Sequence, residues 1–227
     1  MTISAVVLFG SRARGDHGDG SDVDLLFVTG GPQPRHRTVS NLSLSLYPLD
    51  TLLNRAAGGD LFVCHLVYEA KPIYDPVGEF TRLRAAFRFR ESYDREVQHA
   101  SDLGWLLGRY GAALPNSGLV NRRIAWCVRT ILIARSAEHR HPIFSPKALT
   151  VFSEDPSVGS LIKQKTAIDP PGPTVLLGLR GFLEKWGESD PAPTADDPAD
   201  YRELFERTHN DVARGTLDGL FTSSEYR

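Results

Sequence analysis

Cysteine and methionine are scarce: the 227 residues hold only Cys64 and Cys127 of the first and a single residue of the second. Two lone cysteines in apolar runs supply neither a disulfide framework nor a zinc knuckle, and they predict buried thiols in a reducing compartment. No apolar run reaches the ~20 residues that a membrane-spanning helix needs. The opening stretch, MTISAVVLFGS, has no basic segment ahead of its apolar run, so it reads as a core strand and not as a signal peptide. Strong net charge is missing as well: the formal value is −2, which counts against a dedicated nucleic-acid binder. Internal repeats and long low-complexity tracts are absent. What remains is an ordinary globular balance, 41% hydrophobic and 24% charged, long enough for one large domain or two small ones. A cytoplasmic enzyme or binding protein fits these bounds, with no membrane partner.

The charge that is present is unevenly placed. Residues 78–140 hold eleven arginines and six acids, and residues 191–227 hold four basic residues and eight acidic ones. The basic stretch could meet phosphates or nucleic acid, although solvated helix faces account for most such arginines.

Hydrophobic periodicity divides the chain in two. Ala5–Phe9 and Val23–Val28 are short apolar runs that read as buried strands. Leu42, Leu44 and Leu46 alternate with Ser43, Ser45 and Tyr47, the period of a half-buried strand. Pro48 and Asp50 open a helix, Leu61–Tyr68 is helical, Lys71–Tyr74 is extended, and Asp75-Pro76 breaks the chain. Beyond residue 78 the spacing is helical: Val97, Ala100, Leu103 and Leu107, then Val120, Ile124, Val128 and Ile131. Ser145-Pro146, Asp155-Pro156 and Asp197-Pro198 predict helix starts. Val175–Trp186 predicts one more amphipathic helix, followed by a Pro/Asp-rich linker over 187–198. The predicted fold class is therefore α+β: a small mixed sheet with helices over 1–77, then an all-helical domain over 78–227.

The segment Leu8–Val28, LFGSRARGDHGDGSDVDLLFV, carries the chemistry. It reads strand, Gly-Ser, a polar glycine-rich connection, and Ser-Asp-x-Asp entering a second strand, with ten residues between Ser11 and Asp22. Gly10 lets backbone approach a ligand closely. Ser11 supplies a hydroxyl, and the residues after it can present backbone N–H groups to a triphosphate. Arg12 and Arg14 add positive charge nearby. Asp22 and Asp24, two apart on a strand, point to one face. Two hard oxygen ligands held that way suit Mg²⁺ or Mn²⁺ shared with nucleotide phosphates.

This segment resembles the signature of the DNA polymerase β-type nucleotidyltransferase superfamily, in its minimal nucleotidyltransferase branch. The matching residues are Gly10, Ser11, Asp22 and Asp24, with Arg12, Arg14, Gly15 and Ser21 in the flanks. The resemblance weakens toward residue 77, and the helical remainder is similar only in kind to the substrate-side domains of such enzymes. It implies metal-dependent transfer of NMP from an NTP, ATP first among them, to a hydroxyl of a small molecule, a protein or an RNA. Asp22 and Asp24 would be the catalytic and metal-binding pair, and the nucleotide would lie between the two domains.

One departure stands out. The family places a third carboxylate on the next strand, to ligate metal and help deprotonate the acceptor. The aligned residue here is Ser43, with Ser45 two residues on, and neither hydroxyl replaces a carboxylate. Asp16, Asp19 or Asp50 could complete the site; the acceptor could need little help; or the protein could be a nucleotide-binding, antitoxin-like regulator with weak or no catalysis. Arg129, on a predicted helix, is the candidate to meet phosphate or substrate from the helical side, with a structural ion pair as its alternative. His65 reads as a satisfied core or interface residue and the three tryptophans as core. Nothing in the helical part names the acceptor.

Overall fold

The computed structural model describes residues 2–221. The fold is α+β: a five-stranded mixed sheet with helices in the N-terminal part, and helices thereafter. The strands are β1 (Ile3–Phe9), β2 (Val23–Thr29), β3 (Arg35–Val39), β4 (Leu42–Pro48) and β5 (Lys71–Tyr74), in the spatial order β3-β4-β2-β1-β5. Only β2 and β4 run parallel; the other pairs are antiparallel.

One face of this sheet is covered. Ala5, Val7 and Phe9 of β1, Leu26 and Val28 of β2, and Ser45 of β4 are buried, and register places them side by side: Val7 opposite Leu26, Leu26 beside Ser45. Helices α2 (Leu49–Ala57), α3 (Leu61–Glu69) and α4 (Glu79–Ala86) pack there. Phe62 of α3 ties the layers together, edge-on to Phe9 at 5.7 Å and stacked on Tyr47 at 5.5 Å. Arg55 of α2 lies over both Tyr47 and Phe62 and donates to Asp60, whose carboxylate also caps α3 by accepting from Val63 N–H at 3.0 Å. The β4 leucines, which carry the hydrophobic period, are only half-buried, because the helices sit on the serine face.

Strand β3 has no counterpart in the expected elements. Its residues RHRTV carry no apolar period and are all exposed. It forms because Ser40-Asn41, with Ser40 in the left-handed region at φ 55°, turns the chain back onto the free edge of β4.

The described chain divides into two compact units. The first comprises the chain to Ser92 with Glu138–Ser145; the second comprises Tyr93–Ala137 and the residues from Pro146 onward. The division thus falls later than the expected one at 77/78. Helix α4 stays with the sheet because Phe80 and Leu83 are buried there, and Asp75 accepts from the N–H groups of Glu79 and Phe80 at its start.

The second unit is built from α5 (Asp94–Tyr110), α6 (Ser117–Glu138, its last residue counted with the first unit), α7 (Pro146–Ser153), α8 (Pro156–Lys163), α9 (Pro173–Trp186), α10 (Asp200–Arg207) and α11 (Asp211–Phe221). Three of these starts follow from proline at the first turn: Pro146, Pro156 and Pro173. The Pro/Asp-rich stretch after α9 is a strap and not a free linker. Arg109 of α5 donates to Asp190 and to the carbonyls of Ala192 and Ala195, and Tyr110 O–H donates to Ala195. Among the described residues no helix is long and apolar enough to cross a membrane.

Candidate active site

The candidate site lies where β1 ends and β2 begins. Strand β1 delivers the chain at Phe9 into a short helix, α1 (Gly10–Arg14). The first four N–H groups of any helix have no partner within it, so this turn can turn donors toward a ligand. Gly15 closes the helix in the left-handed region, its N–H donating to Ser11 O at 2.9 Å. The loop that follows is folded on itself: Gly18 N–H donates to Ser21 Oγ at 3.0 Å, and Arg12 reaches across to donate to Ser21 O at 3.0 Å. Arg12 Nε is buried without a hydrogen-bond partner.

Gly10 is demanded twice. Its φ is +74°, where L side chains are rarely found, and a Cβ there would collide with the Asp24 carboxylate. That contact fixes Asp24 against the head of α1. Register agrees: Phe9 is opposite Asp24 across the β1–β2 ladder. The same strand delivers Asp22 just ahead of Val23, whose N–H donates to Asn41 O at 2.7 Å and pins the start of β2 to the β3–β4 turn. Gly10, Ser11, Arg12, Ser21, Asp22 and Asp24 are therefore gathered at one end of the sheet, all at least half-buried.

Arg14 is oriented differently. Its Nε donates to Asp16 at 3.0 Å and its Nη1 to Glu69 of α3 at 2.7 Å. Glu69 also receives His65 at 2.9 Å, and the His65 ring stacks on Phe144 with centroids 4.6 Å apart. Burial works against ionisation of Asp16, but hydrogen bonds from Arg14 and Ser145 and the Arg14 charge outweigh it and hold its carboxyl below the usual range. The sequence pointed to the positive charge at Arg14 but not to Glu69, which lies 55 residues away on another element.

Ser43 is beside Asp24 in the parallel β2–β4 ladder and shares its face. The remaining acids weighed for this role are elsewhere. Asp16 is engaged by Arg14, Asp19 is exposed in the loop, and Asp50 is exposed on α2. Asp50 follows the far end of β4, roughly 17 Å along the strand from Ser43. Arg129 is half-buried on α6 of the second unit.

Asp22 and Asp24 supply a small set of hard oxygen donors, and among the described residues no group of three or more His, Cys, Asp or Glu side chains could hold a metal ion. A carboxylate pair is the kind of donor set that holds Mg²⁺ together with water and substrate phosphates.

The model of the nucleotidyltransferase domain family matches residues 2–110. That match supports nucleotidyl transfer as the general activity. Among solved structures the chain is similar to the nucleotidyltransferase-like protein from Exiguobacterium sibiricum 255-15, at 20% identity, covering 81% of this chain and 69% of that one with a TM-score of 0.30. No curated protein matches the chain.

Proposed function

We propose that the chain is a metal-dependent nucleotidyltransferase that moves NMP from an NTP, ATP first among them, to a hydroxyl acceptor and releases pyrophosphate. The observation that carries this reading is the packing of Asp24 against Gly10 at the head of α1, which puts a carboxylate next to the turn whose N–H groups and Ser11 hydroxyl would hold the triphosphate. Asp22 and Asp24 would hold Mg²⁺ or Mn²⁺, which when bound neutralises charge on the transferring phosphoryl group and the departing pyrophosphate. The chain's own groups then bind and orient. Ser11 and the α1 amides receive phosphate oxygens, Arg12 holds the loop closed through Ser21, and Arg14 is braced by Asp16 and Glu69 behind that turn. Arg129 is assigned to phosphate or substrate. The acceptor is a small molecule, a protein or an RNA, and the two buried free thiols support a cytoplasmic setting.

Calorimetry with a non-hydrolysable NTP tests the assignment: affinity should be much higher with Mg²⁺ than with EDTA, and Asp22→Asn or Asp24→Asn should remove the difference. Equal affinity with and without metal would refute it. Ser43 beside Asp24 favours a second reading, a nucleotide-binding regulator with little turnover. The two separate on whether purified protein transfers label from α-labelled NTP into any component of a cell extract.

A further inference from the structure

Strand β3 brings a titratable side chain to the candidate site's face. The register runs across three strands: Asp24 beside Ser43, Ser43 opposite Thr38, and one step along, Leu26 beside Ser45 and Ser45 opposite His36. Same-face partners on these strands are therefore Asp24, Ser43, Ser45, Thr38 and His36, while Arg35 and Arg37 of β3 alternate onto the other face. His36 Nδ1 lies 3.4 Å from Oγ of Ser45, which is 6% exposed, whereas His36 itself is exposed. With Nδ1–H donating to Ser45 Oγ, Nε2 is the ring atom that can accept a proton. Other titratable groups on that face are Asp22 and Asp24 at the head of β2 and Tyr47 of β4, whose hydroxyl accepts from Arg55 of α2 at 3.0 Å. The only other charged side chains on β3 are Arg35 and Arg37. His36 is two strand spacings across from Asp24, roughly 10 Å, and two residues along, roughly 7 Å, with Ser43 and Ser45 of β4 between them.

We propose that His36 is the general base for the acceptor, in place of the carboxylate missing at Ser43, and that Ser45 is the residue that positions it. The inference rests on the nucleotidyl-transfer reading above. In the step, the acceptor O–H gives its proton to His36 Nε2, and the acceptor oxygen bonds to the α-phosphorus. The bond from that phosphorus to the oxygen bridging it to the β-phosphate breaks, and pyrophosphate leaves with that electron pair. Exposure of the ring lets it pass the proton to solvent before the next turnover.

The test uses the full chain with Mg²⁺, α-labelled NTPs and a cell extract as the source of hydroxyl acceptors. His36→Gln should lower the transfer rate about 10²–10³-fold, within the range of general-base catalysis. It should also remove the acid limb of the rate profile. Its Mg²⁺–NTP affinity and melting temperature should match wild type, because the side chain is on an exposed edge strand, two strands across the sheet from β2. Imidazole added to His36→Ala should restore part of the rate, a result that a folding defect does not produce. Ser43→Asp placed in His36→Gln should recover rate, and Ser45→Ala should lower kcat more than it changes KM. Transfer by wild type with an unchanged rate and pH profile in His36→Gln would overturn the role of His36 and leave the proposed function standing. No transfer by wild type under any of these conditions would overturn both.

Discussion

Replacing Gly10 with alanine should break the candidate site while a sister substitution five residues away leaves it working. Both Gly10 and Gly15 are in the left-handed region, at φ +74° and +83°. A non-glycine residue there costs about 1–2 kcal/mol, so each variant should melt lower by a comparable amount, about 2–8 °C at 2–4 °C per kcal/mol for a chain of this size. The surroundings differ. A Cβ at Gly15 has nothing within 4 Å, whereas one at Gly10 collides with the Asp24 carboxylate. To reach ordinary contact that carboxylate must retreat by roughly 1 Å. In a group proposed to hold metal and substrate, a displacement of that size can cost about 10²-fold in rate. Gly10→Ala should therefore lose about two orders of magnitude in transfer rate and weaken Mg²⁺-dependent NTP binding. Gly15→Ala should stay within a few-fold of wild type in both. Calorimetry with Mg²⁺ and a non-hydrolysable NTP, beside single-turnover transfer and melting of both variants, reads the comparison. Equal losses in the two variants would show that the Gly10–Asp24 contact plays no part in the site.

Other expectations follow from single residues. Ser43→Asp in the otherwise unchanged chain should tighten Mg²⁺-dependent NTP binding; an unchanged affinity would mean that the Ser43 position does not face the metal. Ser11→Ala should weaken NTP binding by about 1.5–3 kcal/mol, the worth of a hydrogen bond to a charged group, and an NTP affinity equal to wild type would remove Ser11 from the phosphate loop. Burial pushes the Asp102 carboxyl up, the Asp190 and Glu188 charges add to this, and donation from Gln98 at 2.6 Å only partly offsets it. A group with a raised folded pKa contributes stability below its unfolded value and loses it as pH rises. Asp102→Asn, which keeps an acceptor for Gln98, should therefore raise the melting temperature at pH 7 and less so at pH 4; a gain that does not shrink in acid would contradict this. The Cys64 thiol is pushed up to about 12 by burial, with the Asp60 and Glu69 charges adding to it. An unfolded thiol ionises near about 8.5, so this term destabilises the fold as pH climbs from there toward 12. At pH 8 native protein should resist thiol reagents that label both cysteines in denaturant, and fast native labelling of Cys64 would show that α3 opens.

The segment Gly10 to Asp24 was legible as a candidate site in one dimension, because the Gly-Ser turn and the two carboxylates belong to consecutive elements and their spacing is local. The helices were legible for a similar reason: three- and four-residue periods, and prolines such as Pro146 and Pro156 at first turns, are properties of adjacent residues. Alternation of Leu42, Leu44 and Leu46 likewise announced β4. It did not say which face the helices would cover, and packing of Phe62 on Tyr47 and Phe9 chose the serine face. Strand β3 was illegible because RHRTV owes its conformation to the open edge of β4 and to the turn at Ser40. Glu69 reaches Arg14 only because α3 folds back along α1, and Arg109 gathers the 187–198 strap from 81 residues away at its Asp190 contact. Pairings between distant segments are decided by which surfaces the packed elements leave exposed, and a local pattern carries no record of them.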